Sequence, residues 1–159
     1  MDPSQWRCVM VNKEIIFVVM CPDQRFWNCH RLFIEDHLGL QPGTFVILTV
    51  LGGASVLARP DEFESSFNSI LDEIRFLLEE NPGATYRLVL INHEDCKRAK
   101  NTEDQAIADL QEAAKNARTL LLESYKGTIS LHYGMLDQSN LIFKDIPLKQ
   151  HEVVTAASE

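Results

Sequence analysis

Glu14-Ile15-Ile16-Phe17-Val18-Val19-Met20 is the most strand-like run in the chain, and it leads straight into Cys21-Pro22-Asp23-Gln24-Arg25. A continuous apolar run rich in β-branched residues reads as a strand buried on both faces, inside a sheet that helices cover. Residues just past such a strand lie at its carboxyl end, and in open α/β sheets ligands bind at that edge. A second run, Tyr86–Ile91, ends in the same way, in Asn92-His93-Glu94-Asp95-Cys96. If the two strands are parallel neighbours, the fold brings Cys21, His93 and Cys96 together.

The remaining pattern supplies a scaffold for that meeting. Phe26, Trp27, Cys29, His30, Leu32, Phe33, Ile34 and Leu38 form a compact helical stretch that Gly39 ends. Thr44–Val50 reads as a second buried strand running to Gly52-Gly53, where the backbone can turn tightly or approach a neighbour. Pro60-Asp61 opens a helix with Phe63, Phe67, Ile70, Leu71, Ile74, Leu77 and Leu78 at helical spacing, and Asn81-Pro82-Gly83 stops it. Thr102 and Gln105 make a capping box for a helix that places Ile107, Leu110, Ala114, Ala117 and Leu121 on one face. Thr128–Tyr133 is a fourth strand, and Asp137–Asn140 turns it into a short fifth run, Leu141–Phe143. The order predicts an α/β fold: a mostly parallel sheet of four to five strands flanked by helices, with the last strand an antiparallel edge.

A chain of 159 residues reads as one domain spanning 1–159, with a lead-in over 1–13 and a frayed tail over 148–159. A net charge of -8 argues against nucleic acid as partner, because backbone phosphates call for clustered Lys and Arg. No run approaches a membrane span, and the N-terminus lacks a basic and then apolar leader, so a cytoplasmic protein is expected. In that compartment the four cysteines read as thiols or metal ligands rather than disulfides.

Two thiolates and an imidazole are a sound set for zinc, a borderline-soft ion that takes tetrahedral S and N coordination. His93-x-x-Cys96 binds from one loop and Cys21 supplies the distant arm, leaving a fourth position open. Two thiolates cancel the charge of the ion, so a nearby acceptor matters for activating water. Asp23 lies two residues from Cys21, and Arg25 can hold it ionised by a forked pairing. Along extended backbone, alternate residues face one way, so Cys21 and Asp23 both face the metal if the strand geometry continues past Met20. Each half also has a plainer reading. Either cysteine alone is a common core residue, and Asp23–Arg25 can be a structural ion pair. Cys29 and His30 are rival ligands but sit in an apolar-periodic stretch that favours packing. Cys8, His37, His132 and His151 carry no companion signal, and Lys97, Arg98 and Lys100 read as a solvated basic loop or an attractor of small anions.

Cys21-x-Asp23-x-Arg25 after one strand and His93-x-x-Cys96 after a later one resemble the β-class carbonic anhydrases. The similarity runs from about Ile15 to Ile146. It implies Cys21, His93 and Cys96 as ligands of catalytic zinc, and Asp23 with Arg25 as the pair that orients zinc-bound hydroxide. The implied reaction is reversible hydration of carbon dioxide to bicarbonate, in a dimer. Lys97 stands where the family usually has Gly after the last cysteine, the family's Arg-Asn segment has no counterpart near Thr49–Gly52, and no long helical arm precedes Glu14. The resemblance is thus to a divergent, shortened member. Two other functions remain open: a zinc-binding domain without catalysis, and a hydrolase of another small linear molecule such as carbon disulfide or carbonyl sulfide.

Overall fold

The computed structural model describes residues 14–121 and 124–150; Cys8, His151 and the side chain of Leu121 lie outside the described residues. Five strands, β1 (Glu14–Met20), β2 (Val46–Thr49), β3 (Thr85–His93), β4 (Gly127–Asp137) and β5 (Asn140–Ile146), form one sheet in the order β2-β1-β3-β4-β5. All neighbours are parallel except β4 and β5, which pair antiparallel. This is the predicted α/β architecture. Residues Glu14 to Val19 pair in register with Thr85 to Leu90, so β1 and β3 finish side by side at one edge of the sheet.

The period of two along the strands explains the two-sided core. Phe17, Val19, Leu88, Leu90 and Tyr133 point to one face, where they meet α2 (Ser55–Ala58), α3 (Glu64–Glu79) and α4 (Glu103–Leu121). Val18, Met20, Val89 and Ile91 point to the other, beneath Phe33, Ile34 and Leu40. That second cover is α1 (Trp27–Leu32) with a 3-10 turn before it at Gln24–Phe26 and a π-helical turn after it at Phe33–His37. Small residues Ala106, Ala113, Ala114 and Ala117 let α4 lie close on the sheet. The capping box is formed: Gln105 N–H donates to Thr102 Oγ1 at 3.3 Å, and Thr102 N–H to Gln105 Oε1 at 3.1 Å.

Several boundaries differ from the pattern. β2 is only Val46–Thr49, because Thr44 is drawn into a turn by two bonds to Gln41 C=O. Pro60 and Asp61 do not open a helix; they lie in the turn between α2 and α3, which begins at Glu64. β5 reaches Ile146, and Gln111 anchors the chain beyond it through Pro147 C=O at 2.8 Å and Lys149 N–H at 3.1 Å. Phe26 and Phe33 belong to this chain's own core, which leaves Trp27 as the exposed member of that aromatic group. Among the described residues no helix is long and apolar enough to cross a membrane.

His30 is wholly buried in the α1 cover. Its Nδ1–H donates to Phe26 C=O at 2.9 Å, its ring edges onto Phe143, and Nε2 meets no partner among the described residues. Burial pushes its pKa down to about 4, against about 6.5 for a free imidazole. The unfolded chain therefore takes up a proton first as pH falls. The stability that neutral His30 contributes is complete above about pH 6.5 and is lost as pH drops from there toward 4. Urea unfolding at several pH values is expected to show stability falling with acid across that window. His30→Leu should flatten the slope by about one proton, or roughly 1.4 kcal/mol per pH unit. An unchanged slope would count against this account.

Candidate metal centre

β1 and β3 end beside each other, and the loops that leave them converge. The Sγ atoms of Cys21 and Cys96 are 3.9 Å apart, and with a ring nitrogen of His93 they form a set whose ligand atoms all lie within 4.8 Å of one another. All three residues are buried. His93 Nδ1 sits 2.7 Å from the Glu94 carbonyl, which can only accept, so the proton is on Nδ1 and Nε2 offers its lone pair. Nε2 is buried and has no hydrogen-bond partner among the described residues. An acceptor left bare in the interior is costly, but an imidazole fixed in this tautomer beside two sulfurs is suited to a metal ion. Phe26 and His30 wall the ring edge-on, with centroids at 5.3 and 5.7 Å.

Electrostatics of the two sulfurs point the same way. Hydrogen bonding between them lowers the pKa of Cys96 and raises that of Cys21, and His93 adds to the lowering at Cys96. The backbone at Ala99 and at Gly52 donates toward Cys96 and Cys21 respectively, which favours thiolate. Two buried sulfurs 3.9 Å apart, with Cys96 pushed toward thiolate, are a donor set that suits a soft cation.

Gly52 and Gly53 matter more than a simple turn requires. Both have positive φ, and a Cβ on Gly53 would sit 2.8 Å from Ile91 C=O and 3.3 Å from Cys21 N. Only glycine lets this loop press against the ends of β1 and β3. Asn92, between the two strands and α2, locks the arrangement. Its side chain accepts from Ser55 N–H at 3.2 Å and donates to Ser55 Oγ and Ala106 C=O, both at 3.1 Å. Glu94 ties the loop after β3 to β4 by accepting from Leu136 N–H at 2.7 Å. Together these groups close the centre so tightly that the space among Cys21, His93 and Cys96 has no room for a water molecule.

Asp23 and Arg25 form the expected pair by a different route. The strand stops at Met20, so alternation does not carry on to Asp23. Asp23 instead caps the 3-10 turn: it accepts Arg25 N–H at 3.1 Å, and the guanidinium forks onto its carboxylate at 3.0 Å from Nε and 2.6 Å from Nη2. Arg25 holds the Asp23 carboxyl below the usual carboxylate range. Arg25 also donates to Asp95 Oδ2 at 2.8 Å and Asp95 C=O at 3.2 Å. Asp95 is no part of the sequence motif, and its backbone has φ 57°, a left-handed conformation no spacing rule reveals.

The other titratable candidates lie elsewhere. Cys29 is half-buried and outside the set, and His30 packs beside His93 without joining it. His132 is satisfied by Asp145 at 2.7 Å and Ser130 at 3.0 Å, and exposed His37 stacks on Phe33. Lys97 pairs with Asp95 at 3.0 Å, and Arg98 lies over the Phe63 ring.

No family model matches the sequence, and no curated protein matches it. Among solved structures, the chain is similar to a carbonic anhydrase from Streptococcus mutans, with 13% identity, a TM-score of 0.53, and coverage of 89% of this chain and 88% of that one. It is likewise similar to a carbonic anhydrase from Glaciozyma antarctica, with 14% identity, a TM-score of 0.52, and coverage of 85% and 84%. At such identity the likeness is one of architecture: this five-stranded sheet, with its antiparallel last strand and flanking helices, is a carbonic anhydrase-like fold.

Proposed function

We propose that the chain is a zinc-dependent lyase that reversibly hydrates carbon dioxide to bicarbonate, with Cys21, His93 and Cys96 as the metal ligands. The observation that carries this is the buried Cys-His-Cys set whose imidazole Nε2 has a free lone pair and no partner among the described residues. Such donors suit zinc better than a hard cation such as magnesium or calcium. Zinc held there would supply a Lewis acid that makes water a nucleophile at neutral pH. Asp23, kept ionised by Arg25, is an acceptor-only group placed two residues from a ligand, and its role is to take a hydrogen bond from the attacking water and orient it. Arg25 fixes that carboxylate by its fork. The Glu94 carbonyl holds the His93 tautomer. The same reading implies self-association; Trp27 and Ile47, both exposed, offer apolar surface for it near β2, the end strand of the sheet among the described residues.

A second reading rests on the tightness of the centre. With no room for a water molecule among the three residues, the site also suits a zinc-binding domain without catalysis. Turnover separates the two.

Elemental analysis of protein purified without a histidine tag is expected to give about one zinc per chain. Cys21→Ser combined with Cys96→Ser should abolish it, whereas Cys29→Ser should leave it; full zinc in the double variant would remove the ligand assignment. In stopped-flow carbon dioxide hydration, Asp23→Asn should keep its zinc and lose roughly 100-fold or more in rate. Equal turnover in variant and parent would exclude this role for Asp23, and a zinc-loaded parent inactive at every pH would leave the non-catalytic reading.

A further inference from the structure

A second line of polar groups lies on β4 and β5, outside the metal-ligand set. Ser130 and His132 alternate along β4 and so face one side of the sheet, and Asp145 on β5 is paired directly opposite His132. Their side chains join end to end: Asp145 Oδ1 is 2.7 Å from His132 Nδ1, and His132 Nε2 is 3.0 Å from Ser130 Oγ. An ionised carboxylate only accepts, so the ring proton is on Nδ1. Nε2 then has only a lone pair to offer, and the Ser130 hydroxyl donates to it. The bond from His132 to Asp145 ties two strands together. The bond from Ser130 to His132 is made within one strand and adds nothing to that tie.

The surroundings favour a base at this position. His132 is buried, with the Phe33 ring edge-on at 5.0 Å. Burial holds its pKa below the ordinary imidazole value, which keeps the ring neutral at pH 7. Exposed His37 reaches the same Asp145 oxygen at 3.5 Å from the α1 cover. Pairing with β5 ends at Leu131, so half-buried Ser130 stands one residue past the last pair. Arg87, in register with Thr128, lies on the same face one strand over and adds positive charge near His132.

We propose that Ser130 is an activated nucleophile, with His132 as its general base and Asp145 fixing that base, and that this face hydrolyses short activated esters. Ser130 Oγ bonds to the ester carbonyl carbon while its proton passes to His132 Nε2. That proton leaves with the alcohol as the ester C–O bond breaks, and an acyl-serine remains. Water then attacks the acyl carbon and gives a proton to Nε2, and the acid departs as that proton returns to Ser130 Oγ. The step draws on neither the metal ligands nor the Asp23–Arg25 pair, so it stands or falls apart from the proposed carbon dioxide hydration.

The test adds p-nitrophenyl acetate to the full-length protein as purified. Released nitrophenolate is followed by absorbance, and the acetyl group is located by peptide mass mapping. Expected is a burst of about one nitrophenolate per chain with the acetyl group on Ser130. Water activated by a metal would hydrolyse the same ester without leaving an acyl group on the chain, so the covalent mark separates the two sites. Ser130→Ala removes one half-buried hydroxyl and should abolish both burst and mark. Asp145→Asn should slow acylation by roughly 100-fold or more, because it releases the tautomer of His132. Acetyl groups found only on lysines, a burst unchanged in Ser130→Ala, or equal acylation in Asp145→Asn would overturn the proposal. A second measurement needs no variant: a fluorophosphonate should label the parent at Ser130, forming the Oγ–P bond and expelling fluoride. Absence of that label would overturn the proposal even if Ser130→Ala failed to fold.

Discussion

The parallel pairing of β1 with β3 is the constraint on which the rest depends. Six consecutive pairs, from Glu14 with Thr85 to Val19 with Leu90, hold the two strands level. A slip of one residue would turn every side chain of β1 to the opposite face, exchanging Phe17 and Val19 for Val18 and Met20 under the wrong helices. The register is therefore set by burial on both faces and not by any group in the site. Cys21 and His93 arrive at one place because apolar packing elsewhere leaves no alternative. The polar groups around them, Asn92, Glu94 and the Gly52-Gly53 turn, then refine a position already decided.

The same physics decides how much of the protein was legible in its sequence. Continuous apolar runs announce strands buried on two sides, so β1, β3 and the converging motifs were readable, and the period of 3.6 with a capping box marked α4. Shorter or more polar elements were not. α2 has four residues, too few for any period to register. β5 looked like a three-residue run because Lys144 and Asp145 interrupt its apolar pattern, yet Asp145 is opposite His132 in the hairpin and bonds to it. Cys21, His93 and Cys96 were readable as residues of a kind. The tautomer of His93, the close approach of the two sulfurs and the reach of Arg25 across to Asp95 depend on backbone conformations that composition and spacing do not encode. Asp23 shows the limit best: alternation along a strand pointed it toward the metal, whereas helix capping and a fork from Arg25 decide where it lies.

The centre combines features that oppose each other when taken singly. Burial raises a thiol pKa, but a neighbouring sulfur, an imidazole and backbone donors lower that of Cys96 despite it. Burial also leaves His93 Nε2 bare, a cost the fold retains. Sites that keep such local costs are where function is most often found. The carbonic anhydrase-like fold supplies the frame in which that cost is met.

The distance along the chain between Cys21 and Cys96 bears on how the protein is made. During synthesis β1 emerges with its thiol long before β3 exists to receive it. At roughly 5–20 residues per second, the 75 residues that separate the two sulfurs take about 4 to 15 s to emerge. Until β3 emerges, β1 has no neighbour on that side, so a nascent chain stalled before residue 85 presents an unpaired edge and a Cys21 thiol without its Cys96 partner. The Asp23–Arg25 pair, being local, can form at once, and it is the part of the centre that can be in place before the sheet is.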